Sequence, residues 1–148
     1  MLRKFLATMA VMTMFVSQTA FALNVTPGGN QIAITSYIDN FSVNSSQFNP
    51  NQNEVAVVNY YLSNAAKVYV VAMNVSTQTN YPVLGSSVDP ITQGAGNKNV
   101  TWYGTLGNIN NGTLVPAGDY FVKAYALDLN DNVVDFDFEK VSVDTSPA

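Results

Sequence analysis

The stretch "EVAVVNYYLSNAAKVYVVAMNV", Glu54–Val75, decides the fold. Val58, Tyr60 and Leu62 alternate with Val57, Asn59 and Tyr61. After "SNAA", Val68, Val70 and Ala72 alternate with Tyr69, Val71 and Met73. A period of two sends successive side chains to opposite faces of a strand, whereas a helix repeats every 3.6 residues. β-branched and aromatic residues suit the pleated surface. Two strands are therefore expected, joined as a hairpin through the short polar turn.

The same pattern extends in both directions. Gln31–Tyr37 reads as a first strand, and Ile38, Phe41 and Val43 as a second. "FNPNQNE" is a turn, because Pro and clustered Asn do not feed a central ladder. Residues 77–99 form a long polar connection with a short edge segment at Val83 and Leu84. In "NVTWYG", Val100 and Trp102 point inward. "YFVKAYALD" directs Tyr120, Val122, Ala124 and Ala126 to the core. Asn130–Asn132 turns the chain, and "VVDFDFEKVSV" returns, with Val134, Phe136 and Phe138 expected inside and Asp135, Asp137 and Glu139 outside. About seven short strands punctuated by turn residues predict an all-β fold, an antiparallel immunoglobulin-like β-sandwich in one domain over residues 37–145.

The N-terminus predicts a compartment. Arg3 and Lys4 precede the apolar run Phe5–Val16, which is too short for a permanent membrane helix, and Ala20-Phe21-Ala22 follows. This is the pattern of a secretory signal peptide over residues 1–22, cleaved after Ala22. Residues 23–36 are then a lead-in, and the expected location is the periplasm or outside the cell, without membrane insertion after cleavage.

The chain has no Cys and no His. Stability must come from an apolar core rather than disulfides, and the usual near-neutral proton shuttle is missing. Beyond the leader only Lys67, Lys98, Lys123 and Lys140 stand against ten carboxylates, which disfavours nucleic acid as a partner. Ser and Thr have no base to activate them, and the acids on one strand lack the divergent environments that glycosidases require. An enzyme is not expected. The acidic row reads instead as a guard that keeps an edge strand unpaired.

"DLNDNVVDFDFE", Asp128–Glu139, spaces its polar residues like a calcium-binding loop. Val133 occupies the position where such a loop needs Gly, and the flanks alternate as strands. A hairpin is the better reading, with no cofactor required. Asp128 and Asp131 remain weak candidates for loose calcium at its tip.

Three pieces in order, "VVNYYLSNAAKVYVVAMN", "VTWYG" and "NNGTLVPAGDYFVKAYALD", together resemble the immunoglobulin-like domain of the flagellar hook-capping (hook-assembly) protein family, also found in secreted bacterial proteins. Tyr60, Leu62, Trp102, Gly104, Gly112, Pro116, Gly118, Tyr120, Ala126 and Asp128 carry the resemblance, which covers roughly residues 38–143. It implies the fold and a structural or adhesive role. Tyr103 stands where the family usually has Asp, removing a turn hydrogen bond. The cleaved-type leader in place of the family's export segment argues against hook capping itself.

The outward faces are poor in charge. Tyr61, Tyr69, Val71, Met73, Phe121 and Tyr125 are candidates for an interaction surface toward copies of the chain or another envelope protein, since contiguous apolar patches mark contact sites. The competing reading is that residues 77–99 cover one such face. Exposed Tyr61, Tyr69, Tyr103 and Tyr125 give a second functional reading, carbohydrate binding. A flagellar hook-assembly scaffold is the third. Trp102 and Tyr120 are assigned to packing.

Overall fold

A computed structural model describes residues 36–148, together with the backbone of two strands before them, Phe21–Asn24 (β1) and Gln31–Ile34 (β2), which pair antiparallel. Apart from Phe21 and Ala22 in β1, the expected leader lies outside the described residues. The body contains β3 (Ile38–Val43), β4 (Gln47–Phe48), β5 (Ala56–Leu62), β6 (Ala66–Asn74), β7 (Asn80–Leu84), β8 (Ile91–Gln93), β9 (Gly96–Trp102), β10 (Gly118–Leu127) and β11 (Val133–Val143). Among the described residues, helix is confined to two 3₁₀ turns, Pro50–Gln52 and Leu106–Asn108.

Two sheets form the sandwich. One has the order β3-β5-β9. The other runs β4-β11-β10-β6-β7, with β8 also pairing β6. This is an immunoglobulin-like arrangement, and its tyrosine corner is present: Tyr120, near the start of β10, donates its hydroxyl to the Pro116 carbonyl at 2.6 Å. The pairing is antiparallel except for β4, which lies parallel to β11 through Gln47 and Phe48.

The core is built by the predicted alternation. Val58, Tyr60 and Leu62 on β5 meet Val68, Val70 and Ala72 on β6, with Tyr120, Val122, Ala124 and Ala126 on β10, all buried. Trp102 is fully buried between the rings of Phe48 (5.2 Å) and Tyr120 (5.3 Å). Gly104 has φ +69°, and a Cβ there would lie 3.1 Å from the Phe48 ring, so the turn after β9 needs glycine. The turn that holds Tyr103 is tied by Asn108. Its Oδ1 accepts from Tyr103 N at 2.8 Å, and its Nδ2 donates to the carbonyls of Thr101 and Val83.

Two expectations are corrected. β5 and β6 are not a hairpin. β5 pairs β3 and β9, β6 pairs β7, β8 and β10, and Ser63–Ala65 carries the chain from one sheet to the other. Their apolar faces look at each other across the core, which buries more surface than pairing side by side in one sheet.

The second correction concerns β11. The β10–β11 register runs regularly from Gly118↔Val143 to Ala126↔Asp135, then shifts so that Leu127 meets Val133. Val134 is the extra residue of a β-bulge. One inserted residue exchanges the two faces of a strand. Asp135, Asp137 and Glu139 therefore share the inward face with Val141 and Val143. Val134, Phe136 and Phe138 lie outside, at 38%, 37% and 41% exposure.

Candidate interaction surface

The register of β11, β10 and β6 composes the outer face of the larger sheet row by row. Phe136, Tyr125 and Tyr69 form one cross-strand row. Phe138, Lys123 and Val71 form the next, and Lys140, Phe121 and Met73 the third. Five rings make a continuous chain of contacts. Tyr69 stacks on Tyr125 at 4.7 Å, and Tyr125 on Phe136 at 5.8 Å. Phe136 stacks on Phe138 at 6.2 Å, and Phe138 meets Phe121 edge-on at 5.4 Å. Such pairs contribute about 0.5–1.5 kcal/mol each beyond the area they bury. Ring packing pushes the Tyr69 and Tyr125 phenols up by burial, so both stay neutral. Lys123 reaches across the face, with Nζ 3.5 Å from Met73 Sδ.

Of the six surface candidates, Tyr69, Val71, Met73, Phe121 and Tyr125 come together here. Tyr61 does not: it is on β5, in the other sheet. Phe136 and Phe138, expected in the core, complete the patch. Their exposure could not be read from the alternation, because nothing in "VVDFDFE" announces a bulge. Residues 77–99 do not fold over this face. Their strands β7 and β8 extend the sheet sideways, β7 pairing Val70–Met73 and β8 pairing Ala66–Val68 of β6, and residues 96–99 enter β9 of the other sheet.

The inward acids of β11 have a different role. β3 is the edge of the smaller sheet and lies beside β11, yet no ladder joins them. Carboxylates do. Asp135 Oδ2 accepts from Tyr37 N and Ile38 N, both at 2.8 Å, while its Oδ1 accepts from Phe136 N at 2.8 Å. Glu139 Oε1 accepts from Val43 N at 2.8 Å. Between them Asp137 Oδ1 accepts from Phe138 N at 2.8 Å, and Oδ2 has no partner although the residue is only 5% exposed. Burial first, then the charges of Asp135, Glu139 and Asp39, push the Asp137 carboxyl up to about 6. Burial also raises Asp135, against the opposing effect of its three N–H donors. The acids expected outside, as a guard on an edge, instead point inward and accept from the amides of residues 37, 38 and 43.

The hairpin tip uses its carboxylates locally. Asp128 accepts from Asn130 N at 2.8 Å and Asn132 N at 3.0 Å, which holds its own pKa down. Asp131 pairs with Lys67 at 2.7 Å. Among the described residues no three His, Cys, Asp or Glu side chains are grouped to hold a metal ion. Trp102, Gly104, Gly112, Pro116, Gly118 and Tyr120 all surround the connection between β9 and β10 and shape the fold. A recess of about 60 Å³ there is lined by Pro50, Glu54, Tyr103, Thr105, Gly112 and Leu114, among others.

No family model and no curated protein matches the chain.

Proposed function

We propose that this chain is a secreted, non-enzymatic structural module that binds protein through the outer face of β11, β10 and β6, first of all in assembly with copies of itself. The observation that carries this reading is the five-ring aromatic chain lying open on one sheet face. A solvated antiparallel face alternates polar residues outward, and this one does not. The immunoglobulin-like sandwich supports a scaffold role, and the resemblance to hook-capping domains adds to it without naming the assembly. The test is sedimentation at neutral pH. The wild-type chain is expected to associate, and Val71→Lys with Tyr125→Lys to leave a monomer. Monomers in both cases refute the reading.

Carbohydrate binding is less well supported. Sugar platforms need an open ring face, but Tyr69, Tyr125 and Phe136 stack on one another, which occupies ring faces. Tyr61 and Tyr103 lie on other parts of the sandwich. A glycan array with Tyr→Ala variants separates the two readings.

A further inference from the structure

We propose that a second copy docks face to face about a two-fold axis that crosses β10 at Phe121, so that Lys123 of each copy pairs with Asp119 of the other. The inference rests on the aromatic-face reading and adds the partner's register. Charge on that face singles the register out. Lys67 pairs with Asp131 at one end of the face, at 2.7 Å, and Lys140 with Asp119 at the other, at 3.4 Å. Lys123 stands between them, partly buried, in the row of Phe138 and Val71. Its Nζ lies against Met73 Sδ, and it makes no ion pair among the described residues. A wholly apolar partner takes this cation out of water and sets nothing opposite it, which opposes association. A partner that fits brings a carboxylate to that row.

A second copy has one carboxylate to bring. Among the outward residues of β6, β10 and β11, Asp119 is the single acid. Aligned packing of two sheets allows two kinds of two-fold axis. An axis along the strands lays each cross-strand row on its own row, and the row of Lys123 holds no acid. An axis across the strands lays β10 on β10 in the opposite direction. Only at Phe121 does it set Asp119, two residues before, over Lys123, two residues after, and symmetry makes the contact twice. Packed sheets lie about 10 Å apart, a gap that Lys and Asp span when they reach from opposite sides. Asp119 Oδ1 accepts from Ser142 Oγ at 2.5 Å, whereas its Oδ2 has only the longer contact with Lys140. That oxygen can take a second ammonium.

The same operation covers the apolar residues around the pair. Phe121 meets its own copy on the axis. Val71 falls opposite Val75, an exposed residue whose N donates to the Asp119 carbonyl and so continues the next row. Tyr125 falls opposite the exposed Pro116 and Ala117 that lead into β10. Lys140 shares the axis row but sits on β11, beside exposed Phe138, and stays in water at the rim.

The test is sedimentation velocity at pH 7.5 on the product of the full chain. Wild type is expected to dimerise, and Val71→Lys with Tyr125→Lys to stay monomeric, as the face reading requires. Lys123→Asp and Asp119→Lys each set like charges across both contacts and are expected to weaken association roughly a hundredfold. An equal mixture of the two restores opposite charges at both contacts. It is expected to form a mixed dimer of about wild-type affinity, which also shows that each reversed chain is folded. Asp119→Asn keeps the oxygen that accepts from Ser142 and is expected to weaken association roughly tenfold. A monomeric wild type refutes the face reading and this inference with it. A wild-type dimer that the face variant abolishes, but that Lys123→Asp leaves as tight, or that the mixed chains do not re-form, overturns the register alone. Should a reversed chain not fold, Asp119→Asn decides, and an unchanged affinity overturns the pairing.

Discussion

Replacing Asp137 with Asn removes one charge from the seam between the sheets while keeping the oxygen that accepts from Phe138 N. The carboxyl is pushed from the ordinary 3.8 up to about 6 by burial and by three neighbouring acids. A folded-state pKa above the unfolded value means that the fold binds the proton more tightly. Its stabilising contribution is complete below pH 3.8 and is lost as the pH rises through about 6. Two pH units correspond to about 3 kcal/mol as a ceiling, at roughly 1.4 kcal/mol per unit. Solvent reaches the seam beside exposed Glu139, so about 1–2 kcal/mol is the expected size. Wild type should therefore gain that much stability between pH 7.5 and pH 4.5. Asp137→Asn should exceed wild type by the same amount at pH 7.5 and lose its advantage at pH 4.5. Burial lifts Asp135 in the same direction, whereas Asp119 and Asp128 are lowered and act only at more acid pH. Urea unfolding followed by Trp102 fluorescence measures this, at two protein concentrations so that association is not mistaken for stability. A wild type that weakens steadily from pH 7.5 to 4.5, or an Asn variant with no gain at pH 7.5, refutes the reasoning.

Other substitutions probe other parts of the fold. Trp102→Ala empties the contact between Phe48 and Tyr120 and should cost about 3–5 kcal/mol by urea unfolding followed by circular dichroism. Tyr120→Phe loses the hydroxyl with its bond to Pro116, about 1 kcal/mol by thermal unfolding. Gly104→Ala combines a left-handed backbone with contact on the Phe48 ring, and should destabilise by about 1–3 kcal/mol in urea. Deleting Val134 removes the bulge but leaves Asp135 opposite Ala126, Phe136 opposite Tyr125 and Phe138 opposite Lys123, because Val133 and Asp135 already face consecutive residues of β10. The expected outcome is a retained cooperative transition with a stability change of about 1 kcal/mol, seen by circular dichroism melting, and loss of the transition would refute the register.

Much of the fold was legible from period-two burial alone. The inward series on β5, β6 and β10 was assigned residue by residue, because uninterrupted alternation leaves only the choice of face, and Val, Tyr and Leu settle it. Strand partnership was not legible. A three-residue link between two apolar strands serves equally for a hairpin within a sheet or a crossing between sheets. What decides is the whole set of faces to be covered. β11 failed for a subtler reason. "VVDFDFE" alternates cleanly, and burying Phe rather than Asp is the ordinary choice. The bulge at Val134 reverses it, and the small Ala124 and Ala126 opposite leave space for carboxylates that β3's unpaired amides can use. Five of the six surface candidates share one face because alternation on the paired strands β6 and β10 sends them outward together. Tyr61 was grouped with them because the two strands were assumed to share a sheet.

The seam also fixes when this molecule can finish folding. Asp135 grips amides 97 and 98 positions earlier in the chain, and Glu139 one 96 positions earlier. β3 therefore waits for residues 135–139 before its outer amides are satisfied. A polypeptide delivered from its beginning to its end must carry that bare strand throughout delivery, and contacts so distant in sequence form slowly. The interval before closure is when β3 is open to capture by a foreign strand, so a helper that shields residues 37–43 would act then and lose its grip as Asp135 arrives.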